Sequence, residues 1–335
     1  MLLPPDHPPI PKPRIGVLLM NLGTPDGPDA KSVKRYLGEF LSDRRVVELP
    51  AIAWQPILRG IILNTRPKKS AHAYGQVWSE EGSPLAAFTK RQAAALADAF
   101  GPGVTVDWAM RYGNPSIPDR LAAMKAAGCE RILLAPLYPQ YCAATTATAN
   151  DKAFAVLASM RWQPAIRTLP PYHDEAAYID ALKASIETGL AALDFAPDAL
   201  VASFHGMPRR TLALGDPYHC HCQKTARLLG EAMHRDLIVA FQSRFGPAKW
   251  LGPATDETLA ALPGKGLKTV AIFAPGFSSD CLETLEELAI RGRGSFEAAG
   301  GERFAYLPCL NDTEPGIAML RRILSRELEG WVAPL

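Results

Sequence analysis

A chain of 335 residues, 48% of them hydrophobic, carries enough apolar material for two packed cores. Its formal net charge of +2 argues against a nucleic-acid protein driven by a broad cationic face. It has no apolar run of the roughly 18 residues that would span a bilayer. Its six scattered cysteines, in a chain this large, point to a reducing cytoplasm rather than a disulfide framework.

The opening MLLPPDHPPIPKPRIG is broken by prolines and lacks the basic start and apolar core of a secretory leader, so residues 1–13 read as an extended tail. IGVLLMNLG, from Ile15, is a strand ending in a turn. AIAWQPILRGIILNTRPKKSAHAYG mixes Ile, Leu and Trp with Arg59, Arg66, Lys68 and Lys69. That composition suits a helix packed on the core somewhat better than one lying on an anionic membrane. VTVDWAMRYG, ERILLAPLYPQ and AIRTLPPY are further strands, and DEAAYIDALKASIETGLAAL has the acidic start and three-four apolar spacing of a helix. ALVASFHGMP, LIVAFQSRFG, KTVAIFAPGF and RFAYLPCLN complete the set. Continuous apolar strands separated by helices predict a parallel sheet covered on both faces.

The halves resemble each other. VTVDWAMRYGNP followed by GCERILLAPLYP parallels LIVAFQSRFGPA followed by GLKTVAIFAPGF, and IGVLLMNLGTP pairs with ALVASFHGMPRR. The order predicts an α/β protein of two similar lobes, 14–165 and 166–312, divided within IRTLPPYH and followed by a terminal helix over 313–335. Ligands of open parallel sheets bind beyond the carboxyl ends of the strands. Asn21, Arg111, Tyr112, Tyr138, His205, Arg244 and Phe277 stand there, a polar and aromatic set suited to a flat, partly apolar ligand. No glycine fingerprint for nucleotide phosphates is present.

Three segments carry candidate chemistry. In GFSSDCLETLEELAIRG, Ser279 or Asp280 is placed to cap a helix starting near Cys281, and Glu283 and Glu287 share a face at a spacing of four. By periodicity that face reads as solvated, with Glu near the positive helix end favourable by up to about 1 kcal/mol. The sharper reading is a carboxylate track for a cation or proton. His205 ends an apolar strand; alone it reads as structural, but facing the carboxylates it reads as a proton acceptor or metal ligand. His219, Cys220, His221 and Cys222 alternate soft ligands without the two-to-four-residue spacing and second pair of a structural zinc site. A turn leading into a helix, with Cys222 buried, is the better reading of that segment.

Taken together, LLMNLGTPDG, FLSDRRVVELP, AMRYGNPSI, LYPQYCAATT, SFHGMP, CQKTARLL, KWLGPATDETL and GFSSDCLETLEEL resemble the ferrochelatase family, in the family's order and from Ile15 to about Leu310. The resemblance implies two Rossmann-like lobes around a porphyrin cleft. The activity it implies is a lyase inserting Fe2+ into a porphyrin, protoporphyrin IX ahead of coproporphyrin, in haem synthesis. His205 and Glu283 would face each other across the macrocycle, with Glu287 as a further metal contact. Asp280, Glu286 and Glu287 would extend a proton or metal path. Asn21, Leu22, Arg111, Tyr112, Tyr138, Trp250 and Phe277 would bind the porphyrin. Residues 51–70 would form a lip where porphyrin enters and the inner membrane face is touched. The resemblance requires no resident cofactor. A [2Fe–2S] cluster on Cys142, Cys220 or Cys222 is disfavoured, because Cys142 falls beside the family's cluster position and the chain lacks a cysteine-bearing C-terminal extension. A cytoplasmic monomer or homodimer is expected. The rivals are a cobalt chelatase of a precorrin-type ring and a porphyrin carrier without chemistry.

Overall fold

The structure, a computed structural model, describes residues 12–246 and 248–332. The tail expected over 1–13 lies almost wholly outside the described residues, as do 333–335 at the other end. Four parallel strands form the first sheet: β1 (Arg14–Thr24), β2 (Val104–Gly113), β3 (Cys129–Pro136) and β4 (Ala165–Thr168), in the order β2-β1-β3-β4. The second sheet repeats this with β5 (Ala199–His205), β6 (Ile238–Gln242), β7 (Thr269–Phe273) and β8 (Arg303–Tyr306), in the order β6-β5-β7-β8. The three strand pairs matched by sequence are β1 with β5, β2 with β6 and β3 with β7, so each falls at the same position in its sheet. One irregular hydrogen bond also repeats. Met110 N–H of β2 donates to the Pro115 carbonyl at 2.7 Å, and Phe241 N–H of β6 donates to Pro253 at 2.8 Å.

The strands are covered on both faces, as their apolar runs predict: Val17, Leu18, Leu19 and Met20 of β1 have no exposed surface, nor do Val201 and Ala202 of β5. The division at 165/166 falls at the start of β4, which pairs with β3 from Arg131↔Ala165 to Leu134↔Thr168, so the first sheet ends at Thr168. The helix read from DEAAYIDALKASIETGLAAL spans Ala176–Ala191. The terminal helix is Glu314–Leu328. It packs across both lobes, against Ala176–Ala191 and against the first-lobe helix Pro84–Phe100. Ala93, Leu96 and Phe100 share one apolar core with Met319, Leu320, Ile323 and Leu324.

In each sheet the chain leaves the central strand toward one neighbour and later fills the other side. The crevice at this reversal lies between the ends of β1 and β3 in one lobe and of β5 and β7 in the other. Asn21, Leu22 and Tyr138 stand at the first crevice, His205 and Phe277 at the second.

Candidate active site

His205 is the last residue of β5 and is half-buried behind the fully buried Phe204. Its Nδ1 lies 2.7 Å from the Gly206 carbonyl oxygen. A carbonyl only accepts, so Nδ1 carries the hydrogen and Nε2 keeps its lone pair. The Tyr218 hydroxyl donates to the His205 carbonyl at 3.0 Å, fixing the backbone there. Phe277 places its ring 6.5 Å from the imidazole, and Trp250 stands beside Gly206, its indole N–H on the Phe245 carbonyl at 3.0 Å.

The carboxylates lie on a helix wound more loosely than expected. From Glu283 to Gly292 it is π-helical, continuing as an α-helix over Arg293–Ala298. π-Turns concentrate at functional sites. The winding keeps Glu283 and Glu287 near one face. Burial, reinforced by the Glu283 carboxylate, pushes the Cys281 thiol and the Tyr74 hydroxyl well up, and the Tyr36 hydroxyl likewise, with Tyr74 adding to the effect. Glu283 therefore stands among neutral donors from both lobes. Glu287 accepts from Ser243 N–H at 2.7 Å and Ser243 Oγ at 2.6 Å, and Arg291 binds Glu286 at 2.9 Å.

Asp280 departs from the path expected for it. It is buried, and it accepts hydrogen bonds from the Thr284 and Tyr306 hydroxyls and from Asn311 Nδ2 at 2.7 Å. Carboxylate oxygens occupied in this way tie the start of the π-helix to the chain around Tyr306 and Asn311. Capping of the backbone falls to Thr284, whose Oγ1 accepts from Cys281 N–H at 3.0 Å.

The first lobe's residues divide similarly. Asn21 is turned inward, its Nδ2 on Thr89 Oγ1 at 3.1 Å and its Oδ1 on Leu22 N–H at 2.9 Å, so it shapes the loop that presents Leu22. Arg111 is committed to Asp43 and Thr148, and Tyr112, wholly buried, donates to Asp43 at 2.8 Å. Burial works against that carboxylate, yet hydrogen bonds from Thr148, Arg45 N–H and Tyr112, with Arg111 beside it, hold its pKa below the usual value. Both residues are thus tied to Asp43. Arg244 is turned to solvent, paired with Asp256 at 3.1 Å and Glu257 at 2.9 Å. Tyr138 remains at the crevice with a buried hydroxyl lacking a hydrogen-bond partner.

Residues His219 to Cys222 form the first turn of helix Tyr218–Met233 and diverge around it. His219 lies along Phe241, Cys220 is exposed, His221 stacks on His173 at 3.6 Å and Cys222 enters the core. Burial and the neighbouring Asp216 push the Cys142 thiol up to about 12, and burial raises Cys222 as well. Among the described residues, no three His, Cys, Asp or Glu side chains are grouped to hold a metal ion.

The lip is a nearly continuous helix. Ala51–Ile57 runs through a π-turn, Leu58–Ile62, into Leu63–Val77, which touches the π-helix of the second lobe. Leu58 is buried and the Trp54 indole donates to the Leu41 carbonyl, while Ile52 and Ile61 are 88% and 57% exposed.

The sequence pattern of the ferrochelatase family matches residues 14–328, from the first residue of β1 to the last of the terminal helix. The chain belongs to the ferrochelatase family. It is 57% identical to the ferrochelatase of Rhizobium meliloti over 98% of each chain, and 55% identical to that of Agrobacterium fabrum, again over 98% of each. Its fold is similar to SirB from Bacillus subtilis, with a TM-score of 0.58 at 14% identity over 95% of this chain and 97% of that one. It is also similar to CbiX, the terminal enzyme for siroheme biosynthesis in denitrifying bacteria, with a TM-score of 0.54 at 13% identity over 94% and 100%. At such identities these two neighbours establish the chelatase-like pair of lobes and no more. As a ferrochelatase the protein is a lyase that inserts metal into a porphyrin, with ferrous iron as substrate. No helix among the described residues is long and apolar enough to cross a membrane.

Proposed function

We propose that this ferrochelatase converts protoporphyrin IX to haem in the cleft between the lobes, with His205 and Glu283 on opposite sides of the ring. The observation that carries the reading is the contact of His205 Nδ1 with the Gly206 carbonyl, which ties one ring nitrogen to the backbone and leaves Nε2 for a ligand at the strand end. Insertion releases two pyrrole protons, and an imidazole nitrogen left free of other partners is suited to accept them. Leu22, Tyr138, Trp250 and Phe277 form the walls. Ring distortion there, drawn from binding energy, would expose the pyrrole lone pairs to the incoming ion. Glu283 and Glu287 are the proposed metal contacts, and Glu286 extends the acidic face toward solvent.

The committed arginines favour a ring with few carboxylates. Arg111 is held by Asp43, and Arg244 by Asp256 and Glu257, which leaves the cleft largely aromatic and aliphatic. This supports protoporphyrin over the more heavily carboxylated rings. The exposed isoleucines of the lip, beside Arg59 and Arg66, support peripheral contact of a cytoplasmic monomer or homodimer with an anionic membrane face.

The test is anaerobic insertion of ferrous iron into protoporphyrin, wild type beside His205→Ala. The expected outcome is a loss of roughly 10²-fold or more in kcat with porphyrin binding retained. A variant that inserts iron at the wild-type rate would remove His205 from the mechanism.

A further inference from the structure

The two residues that close β6 join the imidazole strand to the carboxylate helix. Gln242 pairs in register with His205, and its backbone carbonyl accepts the Gly206 N–H at 2.8 Å. Its carboxamide is used at both ends. Oε1 accepts from the Ser203 hydroxyl at 2.8 Å, and Nε2 donates to the Glu283 backbone carbonyl at 2.7 Å. The Ser203 hydroxyl is shared in turn with Thr255 Oγ1 at 2.8 Å. Ser203, Gln242 and Thr255 are all buried. The next residue, Ser243, sits in the left-handed region at φ 65°, which brings its N–H and hydroxyl onto the Glu287 carboxylate. Non-glycine residues held in that region are strained and gather where geometry serves function.

An aliphatic side chain of the same length would fill this space. What the amide adds is direction. Acceptor and donor are fixed on one rigid plane, with Ser203, two residues before His205, at one end and the main chain of Glu283 at the other. We propose that Gln242 is a positioning residue of the insertion reaction, setting the distance between the His205 imidazole and the Glu283 carboxylate, while Ser243 holds the following turn through Glu287. The inference rests on His205 and Glu283 being the reacting pair. A misplacement of about 1 Å in such a pair costs on the order of 100-fold in rate.

Gln242→Met keeps the volume and removes the amide. Gln242→Glu keeps the acceptor for Ser203 and loses the donor to Glu283. Both are expected to lower kcat for iron insertion about tenfold or more, with KM for porphyrin within about twofold. In a Glu283→Gln background, Gln242→Met should cost nothing further, because the residue acts through Glu283.

Additive losses in the double variant, or equal effects on KM and kcat, would overturn the proposal while leaving the catalytic pair intact. Wild-type rates in Glu283→Gln alone would overturn the reading of the pair and the proposal with it. If Gln242→Met does not fold, the split between kcat and KM in Gln242→Glu decides alone, and equal effects on the two overturn the proposal.

Discussion

A Cβ added at Gly206 would stand 2.5 Å from the Gln242 carbonyl oxygen and 3.4 Å from Cε3 of Trp250. The backbone oxygen has nowhere to go without parting β5 from β6, so Gly206→Ala is expected to destabilise by about 1–3 kcal/mol, measured by urea unfolding. It should also lower insertion activity, since the same shift carries His205. His205 and Glu283 stand out in the sequence as a polar residue ending an apolar run and as one of two carboxylates four apart, but pattern alone reads them as structural and solvated, and only the family resemblance pairs them. Gln242 and Ser243 were not. In LIVAFQSRFG they look like ordinary turn residues, and only the register that sets Gln242 opposite His205 gives them meaning. Arg111, Tyr112 and Arg244 were placed in the cleft because they end strands. Strand ends alternate their side chains between faces, and proximity to the end does not say which face meets the ligand.

The π-helix is the element on which the site turns, and its stability is local. The Asp280 carboxylate gathers donors from three chain segments, namely Thr284, Tyr306 and Asn311. Asp280→Asn preserves shape but turns an acceptor into an N–H that faces another donor. The expected cost is about 1–3 kcal/mol in stability. A fall in kcat should accompany it, because Glu283 lies three residues on, and thermal unfolding beside an insertion assay would show both. Spacing alone placed Glu283 and Glu287 together but could not reveal the looser winding, since a π-turn has no distinctive periodicity over one or two turns. The His219–Cys222 run shows the opposite case: side chains that look grouped in the sequence part company once a helix steps each by about a quarter turn.

The lobes meet at a pair of stacked imidazoles. His173 follows β4, and His221, on the second-lobe helix Tyr218–Met233, accepts the Tyr141 N–H of the first lobe at 3.2 Å. Burial, then His221, lowers the His173 pKa to about 4. Its imidazole is neutral in the folded protein, whereas the unfolded chain takes up a proton below about 6.5. Stability is therefore present above that value and lost as pH falls toward 4, by on the order of 2–3 kcal/mol. Unfolding free energies across this range should show the decline, and His173→Phe should reduce it, leaving the part due to the His221 imidazole, which burial also depresses. The overall plan was readable because duplication wrote the same strand order twice, so each half checked the other. The joint was not, because the stacked residues are far apart in sequence and belong to no repeat.

The terminal helix Glu314–Leu328 lies against Pro84–Phe100, and Arg167 of β4 donates to the carbonyls of Glu327 and Glu329. On a ribosome, every strand of the first sheet emerges well before the residues that roof it. Domains ordinarily fold in the order of their synthesis. Here the helix Pro84–Phe100 packs on β1 and β2 of its own sheet, but the side it turns to the terminal helix stays uncovered until Glu314–Leu328 is made, so the first lobe reaches its full packing only late in synthesis.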